Sequence, residues 1–574
     1  MTRVLARLHI RAGSILLLLM LLLLPPFARR AEAEVITPCE PQAFVFLVPA
    51  TSFEDLLGVT EIRALAGVGG AALMSLQGGL PTHEADLPRS CPVAWRWLDP
   101  LESGGLSGVG TDIRREVLGS AADRVLVFVA STTSSPAMVA ARDLVHPLVM
   151  GSGGPAVLFE LDGDPRTLAS DTTRRTGVVT DLDVRPTILE FVERPVPSDL
   201  DALPLRVVDD PPPLELHQRY LAMRRMTIPV QTAAALYVTA GGLFGIALIA
   251  MRRRVPRTLA RAGAWVGLSV PALGVALLAA GHLPRLSYAT VVPFVIGATA
   301  VGTLAFAPLA RRDALLPPAA IGVGVLLFFV AEAAARWTAA LTPFLGGSEL
   351  DGGRFFGLPN VFVGLLIGAS LYVAFRLPPG WGFALVVAVA LFAGLPFAGA
   401  NIGAAVSLLA AAGLWLSLRT RGRLGWREAG VTAAVVVVGT AVILFAHRFL
   451  TATPTHVTRF EEATGWRLGD VWRTFTHRLS TGWHLIEQNP FALVPVIGLP
   501  ATLLAVLRPP PPVRQAFRRH PAWRDALLVA LLAGIVAYVA NDTGPAAVGL
   551  AFGSGLGGLV YVSLIEEPEK MGTP

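Results

Sequence analysis

The residues best placed to do chemistry are polar groups scattered through a very apolar second half. Glu332, Asp351, Arg354, Asn360, Asn401, Asn541 and Asp542 each end, precede or open a long uncharged stretch, and His447 ends another. Ionisable groups near a bilayer are costly and often serve a substrate or an ion. If alternate stretches cross a membrane, all of these residues fall at one depth, which makes a shared binding site the functional expectation. Helix ends also need polar residues for capping, and that structural reading stands beside it. In the first half, Asp181, Asp183 and His83 are the groups to weigh as metal ligands. Only His83 and His146 lie in its folded part, and His217 comes later. Metal sites need several converging Asp, His or Cys ligands, so no metal site, no catalytic residue and no cofactor is expected.

Composition says what must position these groups. The 574 residues are 53% hydrophobic and 15% charged, with a mean hydropathy of +0.59. Soluble chains carry about 25% charged residues. A multi-pass membrane protein is expected, and a nucleic-acid partner is excluded despite the pI of 9.9. Hydropathy marks eleven spans. They are Ile228–Met251, Ala262–Ala280, Ala289–Leu309, Leu315–Ala335, Leu358–Phe375 and Trp381–Ala400. The rest are Ile402–Leu418, Val431–His447, Pro490–Leu507, Ala526–Ala540 and Ala546–Leu564. Alternate connections carry seventeen arginines, including Arg252, Arg312, Arg376, Arg421 and Arg518; the short ones opposite carry Arg285, Arg336 and Arg354. Positive charge accumulates on the cytoplasmic side, so the C-terminus is expected there. The loop 448–489 has aromatic and aliphatic residues at helical spacing, which fits an amphipathic helix on the outer leaflet or a helical cap on the bundle.

Residues 1–33 read as a signal peptide, with Arg3, Arg7 and Arg11 before a ten-residue apolar core. An uncleaved anchor is the alternative. Residues 34–210 then form an exported domain, and Pro211-Pro212-Pro213 opens a linker to residue 227. From Glu34 to Arg225 there are 26 acids against 16 arginines, which keeps such a domain soluble. Cys39 and Cys91 either form one disulfide, which export permits, or remain two unpaired thiols. Apolar strands at Phe44–Val48, Ala71–Leu76, Arg124–Ala130 and Ala156–Leu161 are expected, with helices at Phe53–Ala66 and Ala137–Met150. Alternating strands and helices predict an α/β fold with a mainly parallel sheet.

Particular residues carry a resemblance. Phe44 to Leu56, followed by Ala71-Ala-Leu-Met-Ser75, and then Asp183-Val-Arg-Pro-Thr-Ile-Leu189, resemble elements of the alkaline-phosphatase superfamily. Asp183 would cap the helix that follows it. The layout, with such a domain before many helices, is similar to that of GPI ethanolamine-phosphate transferases. The departures matter more: Pro49 stands where the resemblance places the first metal-binding Asp, and Ala130-Ser-Thr-Thr-Ser-Ser135 where it places a metal cluster. The resemblance therefore implies a metal-less pseudoenzyme that binds. In the second half, Arg354-Phe-Phe-Gly-Leu-Pro-Asn360 and Asn541-Asp-Thr-Gly544 resemble motifs of bacterial polytopic membrane proteins, a likeness that names no activity. The resulting expectation is a protein of the bacterial inner membrane that binds or helps to process a lipid-linked or anionic envelope substrate. Membrane lipids and other envelope proteins are its expected partners. An active phosphotransferase or hydrolase of envelope lipids, and a transporter or flippase, are the alternatives.

Overall fold

The computed structural model describes residues 211–345, 356–451, 493–540 and 545–565, single positions 59, 103, 348, 350, 476 and 491, and the elements named below together with parts of 164–210. Strands β1 (Gln42–Pro49) and β4 (Val125–Thr132) are apolar on both faces and pair in parallel, with Leu47 opposite Ala130 and Pro49 opposite Thr132. Their C-terminal ends therefore lie side by side. Helices α1 (Phe53–Gly58), α2 (Thr60–Val68) and α3 (Leu106–Leu118) supply Leu56, Ile62, Leu65 and Ile113 to a core with Phe44, Phe46 and Val127. The alternate residues Val45, Leu126 and Phe128 face the opposite core, which α4 (Val184–Phe191) covers with Val184 and Ile188. This is the period-two alternation of a strand buried on both faces.

The sheet is mixed, not mainly parallel. Its order is β3-β1-β4-β5-β2-β6-β7, with β3 at Val93–Trp97, β2 at Gly70–Ser75, β6 at Thr167–Ser170 and β7 at Arg175–Thr176. Strand β8 (Val178–Thr180) pairs with β2, and β9 (Arg206–Val208) with β6. β5 (Val145–Gly153) runs antiparallel to both β4 and β2. The expected helix over 137–150 is thus a strand from Val145 onward. Pro147 disfavours a helix interior, and Val145 and Val149 favour a pleated one. The expected strand Ala156–Leu161 lies outside the described residues, as do the signal segment, His83, Cys39 and Cys91.

The expected linker is mostly helix. α5 (Leu214–Ala250) runs on for 37 residues from the proline run, because the first turns are good helix formers and bury Tyr220, Met223 and Met226. Next come α6 (Arg257–Leu268) and α7 (Val270–Ala279), bent by 45° with Ser269 at the break. They are followed by α8 (Tyr288–Leu304), α9 (Leu316–Ala334), α10 (Val363–Ala374), α11 (Pro379–Gly394), α12 (Ile402–Arg421) and α13 (Trp426–Phe449). The chain closes with α14 (Leu493–Leu507), the short α15 (Pro511–Arg519), α16 (Pro521–Ala540) and α17 (Pro545–Ile565). Seven of these helices are long and apolar enough to cross a membrane, and the bent α6–α7 pair counts as an eighth if taken as one span. α10, α11 and α14 are shorter apolar helices. The protein is therefore mostly helical, with several candidate membrane spans and a small mixed sheet. Nearly all of the loop 448–489 lies outside the described residues.

Two sets of bonds mark the two ends of the bundle. At the end away from the sheet, Arg252 donates to the Leu564 carbonyl, Arg376 pairs with Asp313 at 2.7 Å, and Arg419 pairs with Asp525 at 3.3 Å. At the end facing the sheet, Arg219 donates to the Gly281 carbonyl and His282 meets Glu332.

Candidate functional site

The sheet-facing end gathers three of the seven singled-out residues. Asn401 is fully buried ahead of α12. Its Oδ1 accepts from the Ala404 N–H at 2.9 Å and caps the helix, as amide side chains favour. Its Nδ2 donates to the Leu358 carbonyl at 2.9 Å and to Asn360 Oδ1 at 2.7 Å. Gly357 lets the two segments touch. It has φ +103°, and a Cβ there would meet the Gly399 carbonyl oxygen at 2.2 Å. The Leu358 N–H in turn donates to that carbonyl at 2.7 Å.

Glu332 is 2% exposed at the end of α9. Its carboxylate meets His282 Nε2 and accepts from the Ala339 N–H at 3.3 Å. Trp337, fully buried with φ +59°, donates its N–H to the Glu332 carbonyl and its Nε1 to the Ala398 carbonyl at 2.8 Å. A buried tryptophan in the left-handed region is strained and persists only where its surroundings fix it. Trp337 thus joins the Glu332 corner to the segment that leads to Asn401. His447 is also buried here and bonds the Gly394 carbonyl at 2.9 Å.

The sheet domain sits on this layer. Between β6 and β7, Thr173 Oγ1 donates to the Val178 carbonyl at 2.6 Å, and the Thr172 N–H donates to Ser170 Oγ. The turn so fixed carries Arg174, which donates to the Pro396 carbonyl at 2.9 Å and lies over the Phe356 ring. The adjacent Arg175 donates to the Trp337 carbonyl at 3.2 Å. Sequence reasoning missed both arginines, together with His282 and Trp337. The Thr-Thr-Arg-Arg-Thr-Gly run at 172–177 was the available signal. Asp351, Arg354, Asn541 and Asp542 lie outside the described residues.

Chemically, this layer holds a buried acid that meets an exposed imidazole, a set of amide ties and a cationic turn. Among the described residues no three His, Cys, Asp or Glu side chains form a metal-binding group. At the ends of β1 and β4 the register sets Pro49 beside Thr132. Asp183 occupies the N-cap position of α4 without capping it. Its carboxylate instead turns back to accept from the Thr180 N–H at 3.0 Å and the Leu203 N–H at 3.4 Å. Its backbone conformation is already helical, so the side chain does not point into the first turn. Burial pushes the Asp183 carboxyl up to about 6, against the hydrogen bonds that favour its charge.

A cavity of about 470 Å³ opens between α5, α6–α7 and α8. Val295, Ile296 and Leu277 make it apolar, and Tyr237, Ser269 and Thr299 are among its few polar residues. Comparison of the chain with protein-family models, with curated proteins and with solved structures gives no match.

Proposed function

We propose that this is a bacterial inner-membrane protein whose exported α/β domain and helical bundle together bind a lipid-linked or anionic envelope substrate. In this reading the bundle crosses the membrane eleven times, the signal segment exports the first domain, and the sheet-facing end is the outer one. The observation that carries it is the seating of Arg174 and Arg175 on the Pro396 and Trp337 carbonyls, directly on the Glu332–Asn360–Asn401 layer. A soluble domain held there meets the lipid headgroup zone, where an amphiphilic substrate presents its polar part. The parallel register of β1 with β4, and the Asp183-x-x-Pro186-Thr187 element beside them, support an alkaline-phosphatase-like ancestry. Pro49 at the β1 end supports binding over metal-assisted transfer.

Two experiments test the proposal. Reporter fusions at Arg421 and Arg518 should read as cytoplasmic, and fusions at Ser348 and Pro454 as exported. A photo-crosslinking amino acid at Phe397, which is exposed beside Pro396, should yield a lipid-containing adduct in living cells. Exclusive crosslinking to bulk water-soluble proteins would contradict a lipid substrate.

A further inference from the structure

The cavity between α5, α6–α7 and α8 is a second feature of the bundle, distinct from the polar layer. Its lining on α8 runs from Val291 to Leu304. At 1.5 Å per residue that is about 20 Å along the helix, more than the roughly 15 Å depth of one leaflet's hydrocarbon. Its volume of about 470 Å³ falls within the range of small-molecule sites, roughly 300–1,000 Å³. The slot is thus long and apolar, and the exposed α8 side chains Val292 and Ile296 stand on its lining.

Among the polar lining groups, Tyr237 and Ser269 share a hydrogen bond of 2.8 Å, and Thr303 donates to the Thr299 carbonyl at 2.7 Å. Charge points to the ligand. Exposed Arg225 lies five residues before the slot's first α5 residue, Val230, and exposed Arg285 lies six before its first α8 residue, Val291. Both arginines sit toward the sheet-facing end of the slot's walls, where lipid phosphates lie in the proposed orientation. Arginine is well suited to phosphate.

We infer that the α5–α8 slot holds one acyl chain of an anionic phospholipid of the outer leaflet, with its phosphate near Arg225 and Arg285. The inference rests on the proposed outer orientation of the sheet-facing end and names the lipid class for this protein. It is tested on the full chain in nanodiscs, with phosphatidylglycerol spin-labelled on one acyl chain and a phosphatidylcholine counterpart. Immobilised spin label should be more abundant with phosphatidylglycerol. Thr299→Phe, which fills the slot, should weaken binding roughly tenfold. Arg225→Gln with Arg285→Gln should remove the preference for phosphatidylglycerol and leave chain binding in place. Gly297→Phe is the folding control, because nothing lies within 4 Å of a Cβ there; it should bind as the parent does. Equal immobilisation in the parent and in a folded Thr299→Phe protein would overturn the slot. If Phe397 crosslinks lipid while Thr299→Phe changes nothing, the slot inference fails and the functional reading stands. If the slot binds and Phe397 yields no lipid, the reverse holds.

Discussion

α17 and α8 are both long, apolar helices that qualify as membrane spans, yet 94% of the α17 span is buried inside the protein against 22% of the α8 span. Small residues make the difference. α17 carries Gly549, Gly553 and Gly557 at four-residue spacing, and it faces Gly263 and Gly267 on α6 and Gly364 and Gly368 on α10. A Cβ at Gly557 would come within 2.0 Å of the Gly267 carbonyl oxygen, and one at Gly364 within 1.8 Å of the Ala547 carbonyl oxygen. In lipid, where apolar burial gives little drive, such close backbone approach is what brings helices together. On α8, by contrast, Gly297 has open space in place of a neighbour. Apolarity decides that a helix can span, and the small-residue stripe decides where in the bundle it sits. The slot is what remains where α8 has no such stripe against α5.

The largest expected effect tests the packed side of this contrast. Gly364→Leu should destabilise the protein by more than about 4 kcal/mol, the level at which backbone clashes and overpacking become severe. Yield of monodisperse protein in mild detergent reads this out. Gly297→Leu should leave both yield and melting temperature unchanged. Equal loss from the two substitutions would break the comparison.

Next in size is Asp183, a tie within the sheet domain. Burial pushes its carboxyl up to about 6 in the folded protein, from the ordinary aspartate value of about 4. Between those values the folded protein holds more protons than the unfolded chain, so this group's contribution falls as pH rises from about 4 to 6. Above that window the full cost, on the order of 3 kcal/mol, is present; below it the cost vanishes. Melting temperatures measured across this range should show the slope in the parent and lose it in Asp183→Asn. An unchanged slope would contradict the buried-carboxylate assignment.

Asn401→Ala should cost about 2 kcal/mol, since it removes an N-cap and leaves the buried Leu358 carbonyl without that donor. Melting of the purified protein checks this. Smallest of all, Arg174→Ala should cost about 1 kcal/mol of global stability. Limited proteolysis should nevertheless cut between the sheet domain and the bundle sooner than in the parent. Unchanged proteolysis would mean that this turn does not seat the domain.

Much of the fold was legible because its signals are local. The expected apolar stretches each fall on a helix or on the bent pair, and β1, β2 and β4 stand where continuous apolar runs placed them. What failed depended on partners distant in sequence. The direction of β5 is settled by pairing with β2 and β4, which no periodicity within Val145–Gly153 reveals. Asp183 has a capping pattern in sequence, yet Thr180 and Leu203 compete for its oxygens. At the candidate site, Asn360 and Asn401 were visible as polar breaks in apolar sequence. Arg174 and Arg175 were not, because their importance comes from carbonyls more than 160 residues away.

The central claim is that the sheet domain and the bundle form one lipid-binding unit. Native mass spectrometry of the full chain, released from bacterial inner membrane in mild detergent, tests it most directly. The account predicts a retained anionic or lipid-linked species that is lost in the Arg174→Ala, Arg175→Ala protein and kept in Gly297→Phe. A parent protein that carries no bound lipid, or one whose lipid is indifferent to the two arginine changes, would contradict it.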